Sequence, residues 1–398
     1  MKIVHILECA GGVEQYLEML APRLKKEGIE QSIVCSHSVN LDKLKDSADA
    51  CYVTDMRQTF NPLAVVKIIR QVRKAIIASH PDIVYCHSSF AGVFGRLAAI
   101  GTHCKVVYNP HGWAFNMRSA SAHKLMAFRI MERILAHVTD RIVCISEAER
   151  ESAIYNNVAP EDKLALIPNG IDIDAVRSAI PVKRSELDIA DDAFVVGMVG
   201  RLSAQKAPDV FIRAAEMIHK EIPNSAFIIV GDSEQREEIE EYARVHGLNL
   251  VVTGWTDKPY SYLKDFDVAM LLSRWEGFGL AVVEYMAAEK SVVAARTDAI
   301  PSLVDDGVDG FLVDVDNAEQ VADKVLWLHT HPTEVMDMRQ KALQKVMMKY
   351  NINRVVNQHI YMFNRLIPVE GARQNKALIL TPAFLDNKER RVALRYFT

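Results

Sequence analysis

No stretch of this 398-residue chain approaches the roughly 18–20 uninterrupted apolar residues that a membrane-spanning helix needs. The opening MKIVHILECAGG is too short in its apolar part, and ends in the wrong residues, for a secretory signal. The expectation is a cytoplasmic protein, or one held peripherally on the inner face of the cell membrane. No CxxC pair occurs among Cys9, Cys35, Cys51, Cys86, Cys104 and Cys144, and most of them lie in apolar runs such as SIVCS, DIVYC and RIVCI. Reduced thiols are therefore expected, not disulfides or a zinc site. No internal period of about 20–50 residues is present, which excludes solenoids and repeat arrays. Excess positive charge is also lacking: the net charge is −4, with the first half relatively basic and the second acidic. That asymmetry hints at an anionic surface partner for the first half and gives no reason to expect nucleic-acid binding.

What is there is a globular composition, 49% hydrophobic and 25% charged, in a chain longer than one core usually spans. Two domains are expected. Short β-branched runs alternate with helical stretches throughout. The first set is KIVHIL (2–7), SIVC (32–35), DIVYC (82–86), KVVY (105–108), RIVCI (141–145) and LALI (164–167). The second is FVVGMV (194–199), AFIIV (226–230), LVVTG (250–254), DVAMLL (267–272), SVVAA (291–295) and GFLV (310–313). These runs are almost wholly apolar, as in parallel strands buried on both faces. Tyr16, Leu17, Leu20 and Leu24 share one face of a helix after Gly12, and Phe211, Ala214, Ala215 and Ile218 do so after Pro208. The pattern predicts an α/β doubly wound architecture occurring twice. The linker falls around 175–193, residues 317–349 read as helical, and Asn351–Leu366 as another helix. The tail from Pro368 onward is not placed.

The loops carry the chemistry. Gly11 and Gly12 stand where the first strand turns into a helix, a place for close backbone approach and anion binding, although the turn does not spell GxGxxG. Alone, it reads equally as a tight turn. His111 follows a strand within the loop PHGWAF, at the sheet end where open α/β sheets bind ligands. Arg201 and Lys206, in GRLSAQK, flank a turn before a helix and suit a diphosphate: a forked cation, a mobile one and helix-terminal amides. Glu276 lies on the loop after the run 267–272, and Glu284 in the first turns of the next helix. The amides of Phe278, Gly279 and Leu280 open that helix as an anion site.

Taken together, these loops resemble glycosyltransferase family 4, the large group of retaining transferases with the GT-B fold. The resemblance covers roughly residues 1–330 and rests on GGVEQY, HSSFAG, PHG, CISEAE, IPNGID, GRLSAQK, VGDS and EGFGLAVVE, in matching order. The first domain is most similar to enzymes that assemble bacterial capsular or exopolysaccharide units. The resemblance implies two Rossmann-like domains facing each other across a cleft: 1–180 for the acceptor, 190–350 for the nucleotide sugar, and 351–398 as a helix and tail packing back toward the first. By the same resemblance Gly11 and Gly12 lie against donor phosphates or acceptor, and His111 contacts the transferring sugar. Arg201 and Lys206 hold the diphosphate, Glu276 binds sugar hydroxyls, Phe278, Gly279 and Leu280 support sugar and phosphate with their amides, and Glu284 binds the ribose. One departure is VGDSEQ (230–235), where the family commonly has VGDGP, so Ser233 and Glu234 put fine contacts near the nucleotide in doubt.

The expected partners are a nucleotide-sugar donor, UDP-linked in preference to GDP, and a glycan or lipid-linked acceptor. Retention by front-face attack is expected, because no protein nucleophile stands out in the motifs. No cofactor and no essential metal are expected, since Asp314-Val315-Asp316 follows a late strand and reads as a surface turn. Two other functions remain open on the residues alone: a nucleotide-sugar epimerase of the same fold, and a non-catalytic partner protein. Residues 62–77 and 118–141 mix Lys and Arg with apolar residues at helical spacing, which suits either core packing with a basic edge or contact with anionic lipid.

Overall fold

In a computed structural model describing residues 1–9, 11–118 and 120–367, the apolar runs assemble into two separate parallel sheets. The first contains β1 (Lys2–Leu7), β2 (Glu30–Ser36), β3 (Ala50–Thr54), β4 (Ile83–His87), β5 (Lys105–Asn109), β6 (Arg141–Cys144) and β7 (Leu164–Leu166). Their order is β3-β2-β1-β4-β5-β6-β7. The second contains β8 (Phe194–Val199), β9 (Ser225–Val230), β10 (Leu250–Val252), β11 (Val268–Leu271), β12 (Ser291–Ala295) and β13 (Phe311–Val313), in the order β10-β9-β8-β11-β12-β13. Both are Rossmann-like, with helices on both faces, as the alternation of runs predicts. Strand order reverses between β1 and β4 in one and between β8 and β11 in the other, and crevices outside the strand ends open at such reversals.

Period-two alternation splits each strand between two cores. In the first sheet Val4, Ile6, Val84 and Tyr108 are buried on one face, and Ile3, Tyr85, Val107 and Val143 on the other. The second face is covered by helix Gly12–Lys26, which buries Tyr16, Leu17, Leu20 and Leu24, and by helix Ile352–Leu366. The C-terminal helix reaches that face by a backbone crossing: the Ile171 amide donates to Tyr350 O at 2.8 Å and the Ile352 amide to Ile171 O at 3.0 Å. In the second sheet, helix Pro208–Glu221 buries Phe211, Ala214, Ala215 and Ile218.

The structure departs from the sequence reading in a few places. β3 was not expected; its short run ACYV is only half buried, alternating because it is an edge strand with one face in water. Cys51 on this strand is exposed, while Cys35, Cys86 and Cys144 are buried, and all six thiols are free. The helical stretch 317–349 is two helices, Ala318–Thr330 and Pro332–Lys349, because Pro332 cannot continue the first and instead opens the second. The expected linker begins inside a short helix, Ile173–Ser178, whose Asp172 side chain caps the Ala175 amide at 3.0 Å. The tail 368–398 lies outside the described residues. No helix among those residues is long and apolar enough to cross a membrane.

Candidate active site

The strand ends of the two sheets face one another across a cavity of about 890 Å³. Glu8, Ser88 and His111 line it from the first sheet, at the ends of β1, β4 and β5, and Arg201, Gln205, Glu276 and Asp298 from the second. Volumes of this order accommodate drug-sized ligands. Of the residues expected from sequence, His111, Arg201 and Glu276 line this space, and Lys206 joins it through Glu276. Gly11, Gly12, Phe278, Gly279, Leu280 and Glu284 lie outside its lining.

Lys206 Nζ donates to Glu276 Oε1 at 2.5 Å, and Ser273 Oγ donates to the same oxygen at 2.7 Å. The Glu276 amide is fixed by Asp298 Oδ2 at 2.8 Å. The pair is largely enclosed, with side-chain exposures of 18% and 8%, so its field is poorly screened. Arg201 is exposed to the cavity, and its guanidinium touches only Gln205 Oε1, at 3.3 Å, among the described residues. Gln205 in turn donates to Trp275 O at 3.0 Å, tying the β8 loop to the β11 loop. The side chains of Ser233 and Glu234, the departure noted above, bond each other, and Glu234 sits near enough to feel Arg201.

Helix Leu280–Ala287 starts from Gly279, whose φ of 96° suits glycine. Glu284 projects from its second turn to the interface between the two sheets. Tyr260 OH donates to its Oε1 at 2.9 Å, and Gln15 Nε2, from the opposite domain, donates to the same oxygen at 3.0 Å. Burial pushes this carboxyl above the usual range. Across from it, Gly11 opens helix Gly12–Lys26 at φ 94°, and the space where side chains would stand on Gly11 and Gly12 is empty.

His111 takes a left-handed φ of 52°, held by its own amide donating to Asn109 Oδ1 at 3.0 Å. The next amide, of Gly112, donates to Glu149 Oε1 at 2.7 Å, and the other oxygen of Glu149 accepts the Ile145 amide at 2.6 Å. Desolvation pushes Glu149 up to about 7 despite those two donors, and pushes the His111 imidazole down to about 3. The His111 ring therefore works as a neutral group.

Several residues here escaped the sequence reading. Glu8, immediately after β1, accepts Ser88 Oγ at 2.8 Å and Gln58 Nε2 at 3.0 Å. Glu149 lies inside the quoted motif CISEAE. Gln15 lies inside GGVEQY, and Tyr260 gave no local signal; what marks both is their contact with Glu284, across 269 and 24 residues of sequence. Asp314 and Asp316 engage Gln320 at 3.0 Å and Arg274 at 2.7 Å.

Residues 10–175 match the family described as Glycosyltransferase Family 4, and residues 180–345 that described as Glycosyl transferases group 1. A UDP-Gal:alpha-D-GlcNAc-diphosphoundecaprenol alpha-1,3-galactosyltransferase of Escherichia coli is 31% identical over 333 residues, covering 80% of this chain and 85% of that protein. The capsular polysaccharide biosynthesis glycosyltransferase CapM of Staphylococcus aureus is 23% identical over 76% of this chain and 81% of its own length. Among solved structures, Anabaena Alr3699/HepE in complex with UDP-glucose shares the fold at a TM-score of 0.77 and 22% identity, over 92% of this chain and 100% of that one.

Proposed function

The chain belongs to glycosyltransferase family 4 and is a GT-B transferase of polysaccharide assembly, and from that premise we propose that it moves a sugar, with retention, from a UDP-sugar to a lipid-diphosphate-linked acceptor. The observation that carries this reading is the convergence of Arg201, Lys206 and Glu276 on one wall of the cavity, opposite His111. The name of the Escherichia coli relative, with its UDP-linked donor and diphosphoundecaprenol acceptor, supports the choice of both substrates.

In this reading the uridine ribose diol takes Glu284, and the diphosphate lies between Arg201, Lys206 and the amides of Phe278, Gly279 and Leu280. The sugar reaches Glu276 and His111. Breaking the C1–O bond to phosphate builds negative charge on the leaving oxygen, and fixed cations in an enclosed site stabilise it best. Two cations and a helix N-terminus meet that charge without a divalent ion. The carboxylates facing the cavity are all engaged: Glu8 with Ser88 and Gln58, Glu149 with two amides, Glu276 with Lys206, Asp298 with the Glu276 amide. This supports front-face attack, in which the acceptor oxygen bonds C1 on the side the phosphate leaves, and the leaving phosphate oxygen takes the acceptor's proton.

The test is a thermal-shift comparison of UDP, GDP, ADP and CDP in chelator, followed by transfer to a lipid-diphosphate sugar. UDP alone should raise Tm, the rise should shrink in Arg201→Ala and Lys206→Ala, and the product should keep the donor's anomeric configuration. An inverted product, or transfer abolished by chelator, would overturn the mechanism.

A further inference from the structure

His111 is the end of a line of side chains that crosses the first sheet. Its Nε2 lies 3.1 Å from His87 Nδ1, His87 Nε2 lies 3.1 Å from His5 Nδ1, and His5 Nε2 lies 3.1 Å from Gln31 Oε1. Strand register explains the line. Gln31 on β2 stands opposite Ile3, two residues before His5 on β1. His5 stands opposite Tyr85, two before His87 on β4, and His87 opposite Asn109, two before His111. Each member is thus one strand over and two residues on, so all project from one face of the sheet. The three rings lie edge to edge, 5.4 Å between centroids at both junctions, with interplanar angles of 22° and 32°.

A neutral imidazole has one N–H and one lone pair, so such a line can run with either polarity. Gln31 decides which. Its amide nitrogen donates to Ala21 O at 2.8 Å and to Ser47 O at 3.2 Å, so only its oxygen is left for His5. Flipping the amide would set its oxygen against two carbonyl oxygens in a buried place. His5 must then carry its proton on Nε2 and accept on Nδ1. His87 must donate from Nε2 and accept on Nδ1, and His111 must donate from Nε2. Burial supports this by keeping all three rings neutral: His5 is pushed down to about 4, His111 to about 3, and His87 well below its ordinary value.

We propose that Gln31, acting through His5 and His87, is a positioning residue that fixes His111 as the Nε2–H tautomer and so presents the Nδ1 lone pair to the cavity. His111 Nδ1 has no hydrogen-bond partner among the described residues. The ring therefore accepts a hydrogen bond from a sugar hydroxyl and does not donate one to an oxygen. Because Gln31 neither takes up nor releases a proton, the line orients His111 and is not an exit path for the acceptor's proton. His359, which also packs on this face, belongs to a separate set: its Nδ1 donates to Val355 O at 2.8 Å, and its Nε2 faces the hydroxyls of Tyr16 and Tyr85.

The use of that lone pair for a sugar rests on the glycosyl-transfer reading, but the tautomer does not. It is read in the ligand-free protein at pH 7 by long-range ¹⁵N–¹H correlation on labelled histidine, with His111 assigned by its loss in His111→Asn. A single Nε2–H tautomer is expected. An Nδ1–H tautomer or an imidazolium at His111 overturns the proposal, whatever the activity. In Gln31→Met the His111 signal should become a mixture of tautomers, and kcat/KM for the donor sugar should fall about tenfold, the worth of one hydrogen bond, with UDP affinity unchanged. A folded Gln31→Met with an unchanged His111 spectrum removes Gln31 from the role. The wild-type spectrum decides the tautomer alone if that variant does not fold.

Discussion

At the scale of single residues, the site depends on groups that burial has moved away from their ordinary ionisation. Glu149 is the clearest. It fixes the Gly112 amide beside His111 and titrates at about 7 because desolvation outweighs its two amide donors. Protonated, it offers one good acceptor to two N–H groups, so the His111 loop should loosen on the acid side. The pH profile of kcat/KM should therefore show an acid limb near 7 that is missing in Glu149→Gln. Stability runs the other way. The folded value lies above the ordinary 4.5, so the folded state binds the proton more tightly. The contribution of Glu149 is complete below about 4.5 and is lost as pH rises through about 7. Denaturant titrations should accordingly show wild-type stability falling, relative to Glu149→Gln, between about pH 5 and 7.5. His5 was legible only as a letter, and His87 only as the first residue of HSSFAG. Each ends or interrupts an apolar strand, and nothing in KIVHIL or VYCHS shows that register brings them into line with Gln31 and His111.

At the scale of elements, most of the architecture was legible because parallel strands buried on both faces must be apolar throughout. Edge strand β3 was not, since its alternating burial demands no such run. The helix break before Pro332 was legible in principle, but periodicity on both sides concealed it. Helices Pro62–Ser79 and Ala122–Leu135 show why a helical pattern leaves function open. Their inner faces bury Ile68, Val72, Ala75, Ile76, Phe128 and Leu135, as core packing requires. Their outer faces still expose Leu63, Val66, Ile77, Met126, Ile130 and Ile134, with Arg70 and Lys74 also in solvent. Phe60 leads from this surface to the cavity, packing on Phe90 and Phe128 at its rim. If the acceptor is lipid-linked, as proposed, an apolar, basic surface next to the cavity would suit a substrate drawn from an anionic membrane. Each basic residue near such a surface contributes about 1 kcal/mol. Reversing two charges in Arg70→Glu/Lys74→Glu should weaken co-sedimentation with anionic liposomes at least tenfold and leave transfer to a short, soluble acceptor unaffected. No sedimentation of the wild-type protein at low salt would remove the membrane surface from the mechanism.

At the scale of the molecule, the reversal of strand order in each sheet places two crevices face to face, with Glu8 and Ser88 at the ends of β1 and β4, Arg201 and Glu276 in the loops after β8 and β11, and His111 and Asp298 one strand farther out. The polar contacts between the halves are few, beside an apolar seam in which Ile145 and Ile171 pack with the second domain's core. Gln15 reaches Glu284, Ser146 Oγ donates to Gly277 O at 3.0 Å, and Arg118 Nη2 donates to Thr297 Oγ1 at 3.2 Å. Interfaces of that kind permit relative motion of domains. If the ribose takes Glu284, it competes with Gln15 for the same oxygen, so donor entry and separation of the halves are coupled. One approach is backbone to backbone: a Cβ on Gly277 would lie 3.1 Å from Gly112 Cα and 3.3 Å from His111 O. A side chain on Gly277 would therefore push the loops that carry Glu276 and His111 apart. Gly277→Val should keep the halves apart with its own fold intact. Because a displacement of about 1 Å at a reacting centre costs about a hundredfold in rate, kcat should fall by that order while UDP affinity, which the proposed donor site would set mostly within the second domain, changes less than about threefold. Small-angle scattering checks the cause. The radius of gyration should be larger in Gly277→Val than in the wild-type protein, and equal values would show that closure does not pass through this contact.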